Sequence, residues 1–564
     1  MTNLVLGAWI SGSPGSGSVA RGDSPISNSG GSNVDYAIGA FTDWSDLPPT
    51  IDSDQAFLDF AAALLAKTSE VYDGGVVVAT DVFANKFYGV GGGGDDVFQV
   101  TASDYAYMEG RGGDDQLTSS AALSEATLDG GDGDDRLDGG NVGTTQIGGA
   151  GDDTLLSGFG DDSLAGGDGV DTADYAEGAG VTVSLVIAGP QLTGPSAGTD
   201  TLSGIENLRG GINHDSFTGD GFANRLDGDG GDNTLSGGGG EYTLTAGQGM
   251  NHITGGTGFD WIDCADSAEG MGVGLGDGNL FRLGEGAVGT VAEVEGIIGS
   301  SFFDSLAGSD GRNAIRAGGG GDIVQGLLEA DTLSGELGDD DLSGGDGNDL
   351  LDGGQGNDTM TGGDGVDTAD YRTAAGTVFV DLSIAGRQNT GPNTGEDDLR
   401  EIENLLGSQF RDYLLGDGGA NRLDGRGGRD TLQGDEGGDT LVGAAGKDIM
   451  TGGLGADVMA GGPGKDRYFF TSVQDSPKGG ADLITDLTNE DRVHLTDIDA
   501  NVNKDGNQAF ELVGELTGKA GQALLRYDMP TDQTRLLLDV DGNGNADAVI
   551  LFSGDHRDFV NFAL

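Results

Sequence analysis

The chain has 564 residues, 113 of them glycine, and its 95 acidic side chains against 27 basic ones leave a net charge of −68. A surface this acidic repels nucleic acid and anionic membrane and attracts cations. Only 35% of the residues are hydrophobic and 6% aromatic, too few for several conventional cores, so either the chain is disordered or something other than a large core orders it.

The N-terminus, Met1 to Ile10, lacks a basic segment and a long enough apolar run for a secretory signal peptide, and no later window approaches a membrane span. Export, if it occurs, is expected by another route. Residues 1–50 are rich in Gly, Ser and Pro. A helix is predicted next, with Asp52 or Ser53 as N-cap and Phe57, Phe60, Ala61, Leu64 and Leu65 on one face. Val76–Val78 and the aromatic stretch Phe83–Tyr88 then lead into the first repeat. Residues 1–108 are read as an N-terminal cap or interaction domain, the alternative being an unrecognised ligand-binding or enzymatic module.

From Gly130 the chain reads GGDGDDRLD, GGNVGTTQI, GGAGDDTLL, SGFGDDSLA and GGDGVDTAD without a register break. The same nine-residue register returns at 210–263, 299–370 and 407–469, with isolated copies at 91–99 and 110–118. Each nonapeptide is expected to be a six-residue turn, where glycines at positions 1, 2 and 4 permit positive φ and close approach, followed by a three-residue strand. One side chain of that strand faces inward, at position 8: Leu137, Leu155, Leu164, Leu333, Leu342, Leu432 and Leu441. Two nonapeptides make one coil, so units n and n+2 stack as neighbouring strands about 4.8 Å apart.

This stacking aligns the position-6 aspartates into ladders, Asp322–Asp340–Asp358 on one edge and Asp331–Asp349–Asp367 on the other. Like charges about 5 Å apart cost roughly 3 kcal/mol per pair at an effective dielectric near 20, so counter-cations are required. Carboxylates and turn carbonyls suit calcium, which takes six to eight oxygen ligands; magnesium demands a stricter octahedron, and zinc wants the His or Cys that these turns lack. The expected repeat ligands are Asp96, Asp115, Asp135, Asp153, Asp162, Asp171, Asp322, Asp331, Asp340, Asp349, Asp358, Asp367, Asp430, Asp439, Asp448, Asp457 and Asp466. Within 210–263 the position reads Asp215, Asn224, Asn233, Tyr242, Asn251 and Asp260, so those turns are expected to bind weakly or not at all, held instead by Asn amides. The tightest sites are expected in 299–370 and 407–469, where only Asn313 and Asn421 interrupt the aspartates.

The GGxGxDxUx pattern over about 91–469 resembles the RTX (hemolysin-type calcium-binding repeat) proteins. The resemblance implies an all-β fold, a parallel β-roll solenoid with several calcium ions in its turns. It also implies secretion through a type I apparatus into calcium-rich surroundings. The roll is bounded at 109–469.

Three interludes, 175–209, 264–298 and 371–406, interrupt the register and re-enter through Ile205-Glu-Asn-Leu, Val294-Glu-Gly-Ile and Ile402-Glu-Asn-Leu. The first and third share Tyr175 and Tyr371 and the runs Val181–Leu185 and Val378–Leu382, which points to internal duplication. Each is expected to add a pair of strands or a flap to one side.

Residues 470–564 read as strands at 481–487, 492–495, 523–527, 535–538 and 548–551, forming a β-rich C-terminal cap. The phrase DLITDLTNEDRVHLTDIDAN from Asp482, with GNQAF, AGQALLRYD and DVDGNGNAD, resembles the C-terminal region of serralysin-type RTX proteins. Asp539, Asp541 and Asp547, with Asn543, lie in one Gly-containing loop that is either a further calcium site or a tight structural turn. The last residues, Asp558–Leu564, resemble the acidic-then-hydrophobic tail of type I secretion signals.

No catalytic constellation emerges. His214, His252, His494 and His556 are isolated, and none belongs to an HExxH motif. The lone GxSxG, Gly194–Gly198, has a duplicate, Gly391–Gly395, with Asn393 in place of the serine, which indicates a turn rather than a nucleophile elbow. Cys264, the single cysteine, excludes a disulfide framework and is expected to be buried and inert. The expectation is a secreted, calcium-binding, non-enzymatic protein with a structural, surface-layer or adhesive role, whose partners are calcium, the export apparatus and a cell-surface polysaccharide or further copies of itself.

Overall fold

The computed structural model describes residues 3–4, 75–79, 86–100, 105–119, 125–194, 197–245, 247–283 and 286–564, and the helix expected at 53–65 lies outside them. Among the described residues every regular element is a β-strand. Two compact units are present, Met1–Asp260 and Trp261–Leu564.

Within each unit the chain winds as a coil of about two nonapeptides per turn. In the second unit Leu333 pairs in parallel with Leu351, and Leu342 with Met360, each 18 residues on, as the repeat length dictates. These position-8 side chains are fully buried and together make a narrow core from both faces of the coil. Each contributes about 1.5–3 kcal/mol. One position-8 residue is polar: buried Gln146 donates to the Leu156 carbonyl at 2.6 Å.

The two faces are not equivalent. Thr332–Ser334 and Leu350–Asp352 are the expected three-residue strands. On the other face Asp341–Gly347 and Thr359–Gly365 run to seven residues, because the pairing persists into the turn, Gly345 with Gly363 and Asp346 with Asp364.

The interludes act on one face only. Across the third, Thr368–Asp370 pairs directly with Asn404–Leu406, so that sheet continues. Opposite, Gly395–Arg400 takes the next place beside Thr359–Gly365 and folds back antiparallel on Gln388–Gly391, which ends the sheet. Phe379–Asp381 then starts a new sheet with Tyr413–Leu415. The Gln388 amide spans the break, accepting from the Asp381 N–H at 2.8 Å and donating to the Asp381 carbonyl at 3.0 Å. The first interlude repeats this construction, with Gln191 on Ser184 and Thr182–Ser184 opening a sheet with Ser216–Thr218. The middle interlude forms an antiparallel run of Met271–Gly274, Asn279–Arg282 and Gly286–Ala292.

At the C-terminus Leu483–Ile484 pairs with Ala548–Ser553, which continues antiparallel into Gln533–Asp539 and Gln522–Asp528. The opposite face ends with Arg492–His494 paired to Phe562–Ala563. The last residues of the sequence thus cover a strand edge that would otherwise present unpaired backbone groups.

Candidate metal centre

The position-6 aspartates stack as the repeat length requires. Asp322 donates its backbone N–H to Oδ1 of Asp340 at 2.7 Å, and Asp340 donates to Asp358 at 2.9 Å. On the opposite edge Asp331 donates to Asp349 at 2.7 Å and Asp349 to Asp367 at 2.8 Å. The same ladder joins Asp430, Asp448 and Asp466, and Asp439 with Asp457. In the first unit the outlying copies belong to one continuous ladder, Asp96–Asp115–Asp135–Asp153–Asp171.

Each of these carboxylates is therefore half satisfied. Asp322, Asp331, Asp340, Asp349, Asp358 and Asp367 are at most 2% exposed, and Oδ2 of each has no hydrogen-bond partner. The same holds for Oδ2 of Asp115, Asp135, Asp153, Asp171, Asp430, Asp439, Asp448, Asp457 and Asp466. The remaining two expected ligands differ. Oδ2 of Asp96 accepts the Gly92 N–H at 2.6 Å, and Asp162, whose Oδ1 takes the Thr144 N–H and hydroxyl, both at 2.7 Å, accepts the Ser157 hydroxyl at 3.4 Å on Oδ2.

The turn carbonyls close in on the unpartnered oxygens. A methyl group on Gly344 would lie 2.2 Å from Asp349 Oδ2 and 2.7 Å from the Gly362 carbonyl oxygen of the next coil. Position 1 is thus glycine to leave these oxygens room, not for the positive φ expected of it; that conformation falls at positions 2 and 4, as at Gly345 with φ 111° and Gly356 with φ 153°.

A buried acceptor without a donor costs about 1–3 kcal/mol, more when charged. A ladder of them would exceed the 5–15 kcal/mol that keeps a domain folded. Burial is the main cause that pushes Asp322 and Asp331 up to about 7 and Asp358 and Asp430 up to about 8; the backbone N–H on Oδ1 opposes it, and neighbouring carboxylates add to it. An all-oxygen, anionic, donor-free set of this kind fits a hard divalent cation with variable coordination, which is calcium.

The Asn-bearing turns supply the contrast. Asp215 donates to Oδ1 of Asn233 and Asn233 to Oδ1 of Asn251, at 2.8 and 2.9 Å, so the ladder is preserved. Where aspartate has a bare oxygen, Asn233 has an amide that donates to the Gly228 and Gly230 carbonyls at 3.0 and 3.3 Å. The Tyr242 hydroxyl likewise donates to the Asp220 carbonyl.

Several residues that join the ladders lie outside the repeat register and escape sequence reading. Asp358 donates to Asp397 at 3.1 Å and Asp162 to Asp200 at 2.8 Å, each partner lying within an interlude. Asp397 Oδ2 is satisfied by the hydroxyls of Tyr371 at 3.1 Å and Thr390 at 2.7 Å, and Asp200 Oδ2 by that of Thr193 at 2.9 Å. Asp171 and Asp367 each end on a glutamate of the re-entry phrase, Glu206 and Glu403, at 2.8 Å. Asp457 donates to Asp482 and Asp466 to Asp491, both at 2.9 Å, carrying the ladders into the C-terminal region. The IEN phrase was a signal for the two glutamates; the others become ladder members only through non-local pairing.

In the C-terminal loop, oxygens of Asp539, Asp541 and Asp547 lie within 4.8 Å of one another. Backbone N–H groups already hold them, Gly542 and Gly544 on Asp539 at 2.7 and 2.9 Å and Val540 on Asp547 at 2.8 Å. Elsewhere, Cys264 is buried and its thiol is pushed well up, chiefly by burial, while His214 is exposed. Gly391–Gly395 is the turn of an antiparallel pair.

The RTX calcium-binding nonapeptide repeat family matches residues 127–141, 147–181, 209–244 and 245–263, and the peptidase M10 serralysin C-terminal family matches residues 313–563. The metalloprotease AprA of Pseudomonas entomophila (strain L48) is 36% identical over 89 residues, which span 15% of this chain and 18% of that relative. Two solution structures from the Azotobacter vinelandii mannuronan C5-epimerase are also similar to part of the chain. The AlgE6R2 subunit is 22% identical, with 28% of this chain and 91% of that one covered at a TM-score of 0.20. The AlgE6R3 subunit is 25% identical, covering 28% and 80% at a TM-score of 0.17. From the repeat register, the buried carboxylate ladders and these matches together, the chain carries RTX calcium-binding nonapeptide repeats within 127–263 and a peptidase M10 serralysin C-terminal region over 313–563.

Proposed function

We propose that this secreted calcium-binding protein is structural, a matrix, surface-layer or adhesive component that hardens when calcium fills its turns. The observation that carries the reading is the repeated turn with one buried carboxylate oxygen left without a donor. The ligands are Oδ2 of Asp115, Asp135, Asp153, Asp171, Asp322, Asp331, Asp340, Asp349, Asp358, Asp367, Asp430, Asp439, Asp448, Asp457 and Asp466; the loop of Asp539, Asp541 and Asp547, with backbone N–H groups on its carboxylates, is read as the tight structural turn. At the low calcium of the cytosol the ladders repel and the chain stays unfolded, as a type I channel requires. Outside, each ion that binds only the folded state adds about 2.7 kcal/mol at one hundred times its dissociation constant. Folding then favours outward movement.

Electron microscopy of the calcium-loaded protein, alone and with its producing cells, tests the role. An ordered array or a layer adhering to the cells is expected. Dispersed single molecules that leave the cells bare would overturn it.

A further inference from the structure

Not every aspartate at position 6 has a bare oxygen; apart from Asp162, whose Oδ2 accepts the Ser157 hydroxyl at 3.4 Å in a turn with φ 66° at Gly158, the exceptions lie in the first coil of a run. In the first coil after the middle interlude, the Ser300 N–H donates to Asp304 Oδ2 at 2.6 Å and the Ser300 hydroxyl lies 3.0 Å from both carboxylate oxygens. After the third, the Ser408 N–H donates to Asp412 Oδ2 at 2.6 Å and its hydroxyl reaches Oδ1 and Oδ2 at 2.9 and 3.0 Å. After the first, the Gly211 N–H donates to Asp215 Oδ2 at 3.0 Å. In all three, Oδ1 takes a backbone N–H from the interlude itself, from Val181, Met271 or Val378.

The opposite edge follows the same rule with asparagine. Asn313 accepts the Ser309 N–H at 2.7 Å, and its amide donates to the Glu295 carbonyl at 3.1 Å. Asn421 accepts the Asp417 N–H at 2.8 Å and donates to the Glu403 carbonyl at 2.9 Å.

One coil later the turn changes. Its position-2 residue adopts a left-handed backbone, with φ of 101° at Gly318, 89° at Leu327, 67° at Arg426 and 81° at Asp435. The carboxylates of those turns, Asp322, Asp331, Asp430 and Asp439, are the ones with a bare Oδ2. Three of the four position-2 residues are not glycine, so the conformation is imposed by stacking on the coil before and not by local preference.

We infer that the position-2 conformation selects which coils take calcium, and that the first coil after each interlude, Asp215, Asp304 and Asp412 included, takes none. An N–H aimed at Oδ2 puts a positive hydrogen where the ion would need a lone pair. Ser300 and Ser408 are the residues that hold this closed turn. The interludes thereby divide the calcium ladder into separate runs, each starting on a coil held by protein donors alone. This rests on the reading of the bare Oδ2 oxygens as calcium ligands.

The test compares Asp304→Asn and Asp412→Asn with Asp340→Asn and Asp448→Asn in the full chain. Bound calcium per molecule is measured by atomic emission after gel filtration at fixed free calcium, with circular dichroism as the check on folding. Asp304→Asn and Asp412→Asn should keep the wild-type number of ions, while Asp340→Asn and Asp448→Asn each lose at least one. Equal losses from all four would overturn the inference and leave the ligand reading standing; no loss from any would overturn the ligand reading, and the inference with it. If Asp304→Asn or Asp412→Asn fails to fold, Ser300→Ala and Ser408→Ala decide: an unchanged ion number supports the inference, and a lost ion overturns it.

Discussion

Acid should substitute for calcium. Burial raises the ladder carboxyls in the folded chain, Asp322 and Asp331 up to about 7 and Asp340 and Asp367 up to about 6, whereas unfolded aspartate titrates near 3.9. A proton is therefore held more tightly by the fold than by the unfolded chain. The stability it gives is complete below the unfolded value and lost as the pH rises through about 6–7. For a carboxyl shifted to about 7, linkage gives roughly 0.2 kcal/mol at pH 7.5 and roughly 2 at pH 5.5; for one shifted to about 6 the gain is roughly 0.8. Allowing for solvent screening, about 1 kcal/mol per group is a fair figure, and the five groups Asp322, Asp331, Asp340, Asp358 and Asp367 then supply several kcal/mol, comparable with a domain's whole stability. The protonated carboxyl would act as the Asn233 amide does, donating to turn carbonyls. Far-UV circular dichroism of protein stripped by chelating resin should show a disordered chain at pH 7.5 and regained β-structure at pH 5.5, which is still above the isoelectric point of about 4.1. Equal disorder at both values, or a fully β stripped protein at pH 7.5, would refute the argument from buried, donor-free oxygens.

Asp349→Ala and Asp448→Ala should lower calcium affinity by calorimetry, by about tenfold or more, since each removes an oxygen ligand from within a ladder. Asn233→Ala should leave that affinity nearly unaltered while costing about 1–3 kcal/mol of stability, because the Gly228 and Gly230 carbonyls lose their donor. Gly344→Ala, whose new methyl would fall 2.2 Å from Asp349 Oδ2, should reduce both calcium binding and the thermal midpoint. Tyr371→Phe should cost about 1–3 kcal/mol in a denaturant titration by removing the 3.1 Å bond to Asp397, without changing the number of bound ions. Deleting Gly480–Leu564 should abolish secretion into the medium while deleting Thr2–Thr50 does not; the opposite pattern would mean that the export route is misassigned.

The nine-residue register carried most of the fold. Its glycines, its position-8 leucine and its length alone implied parallel strands 18 residues apart, a thin core and two edges of aspartate, and Leu333 on Leu351 and Asp331 on Asp349 are found in those places. The asparagines of 210–263 were also legible, since an amide can donate where a carboxylate cannot. Sequence could not say that Asp397 completes the Asp358 ladder from 39 residues away, nor that Gln388 bridges the break in the sheet, because neither falls in the repeat register. Nor could it separate Asp304 from Asp322, which have the same residue in the same repeat position. That difference lies in a backbone angle at Ser300 and Gly318, and Leu327 and Arg426 adopt the left-handed turn without being glycine. Such an angle is set by the coil on which the turn stacks, so whether a carboxylate oxygen is capped or bare is a property of the stack and not of the nonapeptide.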